Sequence, residues 1–389
     1  MTSVAWRMVA LAAALFTYLT AEMFPVGVLP VLASDLHTTE SGAGRLLTVY
    51  AVIAGVAILP TVAVTRYVDR RVVLVGSLVV LAISQVGLAV APNLPTALAA
   101  RAIAALPHGL LWSTVPIVAV SLVPPARQGR ATAQVFVGGS AALVGGAPLM
   151  TGLASWIGWR PAAAALGAAA LVLAALLWLV MPRALHGEDA PDVMPTSREW
   201  LPGVMKICGI TALVVTSTYI PYTFLAVMAQ QYGFRSWSLG ALQIAFGAAG
   251  LLAVAFIGRL IDRGPTAAVV LTVAGLAIGF GVVALAPNTA AFVIGVLLWG
   301  AAMACVAPTM QTAALRSAPG AAVTASALYV LAFQIGISTG SLLGGVVLDG
   351  PGLRWLPVCA VAGLIPVAAV PLFGRRVRAG RTLPPCTST

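Results

Sequence analysis

Apolar residues in this chain run on in long blocks cut by short polar or Pro/Gly-rich punctuation. About 20 mainly apolar residues in a helix cross a bilayer's hydrocarbon core. Twelve blocks meet that length, at roughly 7–32, 43–64, 72–90, 95–122, 131–155, 161–181, 203–229, 238–258, 266–286, 290–314, 323–348 and 355–374. The punctuation includes Ala91-Pro92-Asn93, Pro124-Pro125 and Ala286-Pro287-Asn288, all turn formers. The first block follows Arg7 and continues through Glu22 to Leu32, so it reads as a retained first transmembrane helix and not a cleaved signal peptide. The longest polar stretch, Pro182 to Trp200, divides the chain nearly in half. The pattern predicts an all-α membrane protein of twelve transmembrane helices. Its parts are a six-helix half over 1–181, a linker over 182–202, a second six-helix half over 203–374 and a tail over 375–389.

An internal repeat supports the division. RYVDR at 66–70 recurs as RLIDR at 259–263, APN at 91–93 recurs at 286–288, and GWRP at 158–161 has a looser echo in GLRWLP at 352–357. Three features at nearly one offset, each at the same place in its half, predict two parallel halves. Such halves place a binding site at their interface, near the bilayer midplane.

Composition agrees with a lipid solvent. Sixty per cent of the 389 residues are hydrophobic and only 8% are charged, against about 25% in soluble domains. The net charge of +11 could suggest nucleic acid, but the charges sit at the ends of apolar blocks and form no continuous basic face. Of the twenty-one Arg and Lys, only Arg45, Arg160, Arg235 and Arg354 fall on the side opposite the N-terminus, and Arg101 lies within a block. That bias predicts both termini in the cytoplasm. Cys208, Cys305, Cys359 and Cys386 lack metal or redox spacing. No metal and no cofactor are expected.

Charges inside spans are costly and mark function. There are three: Glu22 in the first span, and Arg101 and His108 in the fourth. At about 1.5 Å rise per residue, Glu22 lies in depth between the other two, which are seven apart and share a helix face. Burial favours a neutral carboxylic acid and a nearby cation favours a carboxylate, so a group balanced between them can load and release a proton. Glu22 is the expected proton carrier, with Arg101 tuning it and His108 a second titratable group. Aromatic and amide residues within spans are the expected cavity lining: Tyr50, Trp112, Tyr219, Tyr222, Gln243, Trp299, Gln311, Phe333 and Gln334. Such a lining suits a small amphipathic ligand.

Four segments give the chain a family resemblance: TAEMFPVGVLP at 20–30, the RYVDRR and GRLIDRG loops, ARAIAALPHG at 100–109, and WGAAMACVAPTMQTAALRSAP at 299–319. The chain resembles the major facilitator superfamily, in particular the bacterial drug:proton antiporter branch that includes arabinose-, sugar- and purine-efflux permeases. The resemblance implies the major facilitator fold, with the first and fourth spans as neighbours, so that Glu22, Arg101 and His108 share one cavity. It also implies that the loops bearing Arg66, Asp69 and Arg70, and Arg259, Asp262 and Arg263, act as a cytoplasmic gate. Thr65 stands where the family prefers Gly in the first loop. GGSAALVGGAPLMTG at 138–152 is similar to the family's antiporter signature, with Gly145, Gly146 and Pro148 as helix-packing residues and Ala147 in place of a glycine.

The function implied is proton-driven export of a small organic molecule, such as a drug, sugar or nucleoside-like compound, by a monomer in the bacterial inner membrane. Proton-coupled uptake and facilitated diffusion remain open. No catalytic constellation supports a membrane enzyme, no sizeable soluble domain supports a sensor, and no phosphate-binding loop supports an ATP-driven pump.

Overall fold

The computed structural model describes residues 2–65, 67–124, 127–182, 199–235, 237–263, 265–318 and 321–369. Most of the linker and the tail lie outside these residues. The described chain is helical throughout: α1 (Thr2–Asp35), α2 (Glu40–Thr65), α3 (Arg70–Ala89), α4 (Leu94–Ala105), α5 (His108–Ser121), α6 (Gln128–Ala141), α7 (Ala147–Ile157), α8 (Trp159–Val180), α9 (Leu201–Tyr222), α10 (Leu225–Gln231), α11 (Trp237–Arg263), α12 (Pro265–Ala284), α13 (Thr289–Arg316), α14 (Ala322–Asp349) and α15 (Leu356–Ala369). Ten stretches among the described residues are long and apolar enough to cross a membrane. The fifth expected span is interrupted, and the twelfth is described only to Ala369. The arrangement is consistent with twelve crossings.

Proline accounts for the interruptions. Pro107 separates α4 from α5, but Leu106 keeps helical angles (φ −56°, ψ −50°), so Arg101 and His108 still share a face across the break. In the fifth span, Pro148 cannot donate to the Val144 carbonyl, and a π-helical turn, Ala142–Gly146, joins α6 to α7 just before it. In α1, Pro25 and Pro30 flank a kink at Val28 (φ −121°, ψ 16°).

The repeat has a structural counterpart. Asn93 and Asn288 cap α4 and α13 in the same way, each side-chain oxygen accepting from the backbone N–H three residues on. Gly158 (φ 88°) and Gly352 (φ 99°) hold the same left-handed corner before the sixth and twelfth spans, where a side chain would be strained.

One core fills the first half, built from α1 to α8. A second fills the other half and also takes in Leu19, Met23 and Val26 of α1 and Ala43, Leu47 and Ala51 of α2, so apolar packing runs across the division. The outer surface keeps large apolar side chains, among them Leu179 at 79% exposure, Phe256 at 67% and Leu285 at 82%. A belt of this kind needs lipid around it.

Close helix contact along α1 depends on small residues. A Cβ on Gly138 would collide with the backbone of Ala12, and one on Gly146 with the side chain of Thr20. Gly340 and Gly344 of α14 approach the backbone of α9 in the same manner. Without a hydrophobic drive between helices in lipid, this proximity supplies the packing energy.

A buried polar cluster between the halves

Pro25 has no N–H, so the Ala21 carbonyl one turn earlier loses its helical donor. Arg101 of α4 supplies the replacement. Its Nη1 donates to the Ala21 carbonyl at 2.7 Å and its Nη2 to the Glu22 carbonyl at 2.8 Å. The guanidinium carbon also lies 4.4 Å from the centre of the Tyr50 ring. Arg101 is completely buried. Two backbone dipoles and an aromatic face therefore solvate a cation that would otherwise be very costly in this position.

The Glu22 carboxylate points elsewhere. Its Oε2 is 3.7 Å from His108 Nδ1, and its Oε1 accepts from Gln334 Nε2 at 3.5 Å. His108 is held on both ring nitrogens, with Tyr50 Oη 3.0 Å from Nδ1 and Gln334 Nε2 3.0 Å from Nε2. Tyr18, one helical turn before Glu22, donates to the Ala104 carbonyl at the end of α4 and meets the His108 ring edge-on. The sequence expectation needs one refinement. The three intramembrane ionisable groups do converge, but Arg101 contacts the Glu22 backbone and forms no ion pair with its carboxylate.

Gln334 comes from α14 in the second half, so the cluster straddles the division. Other bonds cross it as well. Thr151 Oγ1 lies 2.7 Å from Gln243 Oε1 and 3.0 Å from the Gly27 carbonyl. Ser341 donates to the Gly44 carbonyl at 3.0 Å, and Ser41 to Asp349 Oδ2 at 2.6 Å. Phe224 is fully buried between Gly44 and Gly344. These contacts run from the Asp349 end of the molecule to the level of Glu22.

The remaining expected residues divide into groups. Tyr222, Gln243 and Pro148 line a cavity of about 10 Å³ with Val26, Ala147, Leu225 and Phe246, room for about one water. Trp112 is half-buried and stacks on Phe136. Tyr219 packs edge-on against Tyr222, its hydroxyl 4.0 Å from Met23 Sδ. Gln311 reaches Ser326 at 3.5 Å and Phe333 packs near Tyr329, away from the cluster. Trp299 is fully buried and packs edge-on against Tyr222, Phe246 and Phe280 in the core of the second half. Gly146 and Pro148 are buried, whereas Gly145 has open space before it.

In the expected gate, Asp69 caps α3 by accepting from the Arg71 N–H at 2.8 Å. Arg70 is half-buried and Arg259 exposed. Arg66 lies outside the described residues, as do the side chains of Asp262 and Arg263. Arg71, the last residue of the RYVDRR segment, is buried against Trp178, donating to its carbonyl and stacking on its ring. Sequence reasoning also passed over Tyr18 and Thr151. Tyr18 had a readable signal, its spacing of four from Glu22. Thr151 had none, because its partners lie on two other helices.

An all-helical bundle with a lipid-facing belt and buried charges where its halves meet is the architecture of a membrane transporter. The model of the Major Facilitator Superfamily matches residues 11–341 and 207–385. A chloramphenicol efflux pump of Mycobacterium tuberculosis strain H37Rv is 38% identical over 385 residues, covering 96% of this chain and 92% of the pump. Its counterpart in strain CDC 1551 gives the same figures. Among solved structures, a bacterial homologue of the human lysosomal transporter Spinster in its inward-facing, occupied conformation superposes with a TM-score of 0.76 at 15% identity, covering 94% of this chain and 95% of that one. A POT peptide transporter superposes with a TM-score of 0.75 at 13% identity, covering 92% of each chain. The chain belongs to the Major Facilitator Superfamily; it is a membrane transporter and not an enzyme.

Proposed function

We propose that this transporter exports a small amphipathic organic molecule in exchange for protons, by alternating access between the halves 1–181 and 203–374, which the linker 182–202 joins. The observation that carries the reading is the Glu22–His108–Gln334 contact. There two titratable groups of the first half meet an amide of the second, so a change of protonation acts directly on the interface. Glu22 takes the proton, Arg101 holds the backbone around it, and His108, whose Nδ1 faces both Glu22 and Tyr50, is the second titratable group. The aromatic and apolar walls near Tyr222 and Phe246 favour neutral amphipathic compounds. The 38% identity to chloramphenicol efflux pumps makes chloramphenicol the first substrate to test. The transporter acts as a monomer in the bacterial inner membrane, and the arginine distribution supports both termini, the tail 375–389 and the Arg66/Asp69/Arg70 and Arg259/Asp262/Arg263 loops on the cytoplasmic side. In that orientation the bonded Asp349 end faces outside.

The test is chloramphenicol transport in proteoliposomes with and without an imposed pH gradient. Acceleration by the gradient is expected for the unaltered protein, and its loss in Glu22→Gln. Equal rates with and without the gradient would favour a uniporter. Full acceleration in Glu22→Gln would remove Glu22 as the carrier.

A further inference from the structure

Gln334 enters the polar cluster from the second half with its amide nitrogen 3.0 Å from His108 Nε2 and 3.5 Å from Glu22 Oε1. Its own oxygen is buried and has no hydrogen-bond partner. An amide nitrogen carries two hydrogens and cannot accept, so both neighbours must present lone pairs to it. In this arrangement His108 is the neutral tautomer, with its hydrogen on Nδ1 toward Tyr50, and Glu22 Oε1 is unprotonated. A proton arriving on His108 Nε2 or Glu22 Oε1 sets a donor against a donor. Half a turn of the amide about its last bond resolves the conflict. The unpaired oxygen then accepts the new proton, and the link from the amide nitrogen to the other neighbour is given up.

We propose that Gln334 is the positioning residue that transmits the protonation state of the first half to the second. It bridges Glu22 and His108 through its two N–H groups when the cluster is unloaded, and exchanges that bridge for a single bond through its oxygen when a proton binds. The proposal rests on the proton-exchange reading above. The other ionisable groups at this level are Tyr18 and Arg101, Tyr50 of α2, and Tyr219 of α9, whose hydroxyl approaches Met23 next to Glu22. The remaining ionisable side chains on α14 and the elements packed against it are Tyr329 and Asp349 of α14 itself, Glu40 and Arg45 of α2, Lys206, Cys208 and Tyr222 of α9, Cys305 and Arg316 of α13, Arg354 of the short 3-10 helix Leu353–Trp355, and Cys359 of α15. None of these is hydrogen-bonded to Gln334. The proton-dependent partners of the amide are thus Glu22 and His108.

The experiment measures the distance between spin labels on cysteines replacing the exposed Val90 and Leu285, at the ends of α3 and α12, one in each half, with the native cysteines changed to serine. Acidification is expected to shift the distance distribution in the otherwise unaltered protein. In Gln334→Leu the shift should fall about tenfold, the equilibrium effect of losing a hydrogen bond to a charged group. A full shift in a monodisperse Gln334→Leu protein would overturn the proposal. Gln334→Asn, one methylene too short to bridge, gives the same comparison if the leucine variant does not fold. The proton-exchange reading fails separately, if a pH gradient leaves chloramphenicol transport by the unaltered protein unchanged. A residue that only packs would leave the pH response intact in both variants.

Discussion

Eight residues after its capping asparagine, Asn93, the first half buries Arg101; eight residues after Asn288, the second half buries Val296. The other charged positions compare in the same way. Counting from the aligned prolines Pro25 and Pro221, Glu22 corresponds to Thr218, which only bonds back to the Val214 carbonyl of its own helix. His108 corresponds to Met303, within an α13 that runs unbroken where α4 and α5 are split. The second half instead gathers Tyr222, Phe246, Phe280 and Trp299 into an aromatic core. One backbone plan thus carries two kinds of interior. The first half buries ions and keeps backbone carbonyls free to solvate them. The second buries aromatic surface and contributes one amide, Gln334, to the ionic side. Among the described residues, buried charge and its energetic cost are therefore concentrated in the first half.

The sharpest way to break this comparison is to remove the central residue of each interior. Arg101→Ala strands the Ala21 carbonyl and empties the space of a fully buried side chain, and together these are expected to cost about 3–5 kcal/mol. Transport should be lost with it. Arg101→Lys should not rescue, because a single ammonium cannot reproduce the fork across two carbonyls. Trp299→Ala is expected to cost a similar ~3–5 kcal/mol through the cavity it leaves, but the protein that does fold should keep its response to a pH gradient. Thermal unfolding in detergent and gradient-driven uptake measure the two effects. A Trp299→Ala protein that folds but ignores the gradient would contradict the division of labour.

A smaller effect probes where the halves should be alike. Gly146→Leu and Gly340→Leu each force a side chain into a tight helix contact and should each cost about 1–3 kcal/mol. Unequal losses, read from thermal melting, would show that the two halves are not equally packed. The smallest effect is at the caps. Asn93→Ala and Asn288→Ala should each lower stability by about 1 kcal/mol, and a large difference between them would argue against equivalent capping.

Much of this was legible in the chain. Apolar blocks gave the helices to within a few residues, since in lipid a helix must satisfy its own backbone and its length is set by the bilayer. The repeat gave the capping asparagines and the corner glycines, because turn chemistry is local. The three intramembrane ionisable residues stood out because such residues are rare. Which aromatics line a cavity was not legible, because nothing in a single apolar helix says whether Trp299 or Phe333 faces a neighbour, a cavity or lipid.

The sequence by itself determined the all-helical membrane fold, the order of its apolar spans and the burial of charge in the first half. Only the tertiary structure decided the partners: Arg101 on the carbonyls around Pro25, Glu22 with His108, and Gln334 of α14, 312 residues from Glu22, bonded to both. The reason is physical. Hydropathy and capping act over a few residues, while a buried polar group is satisfied by whichever element packing brings within about 3 Å.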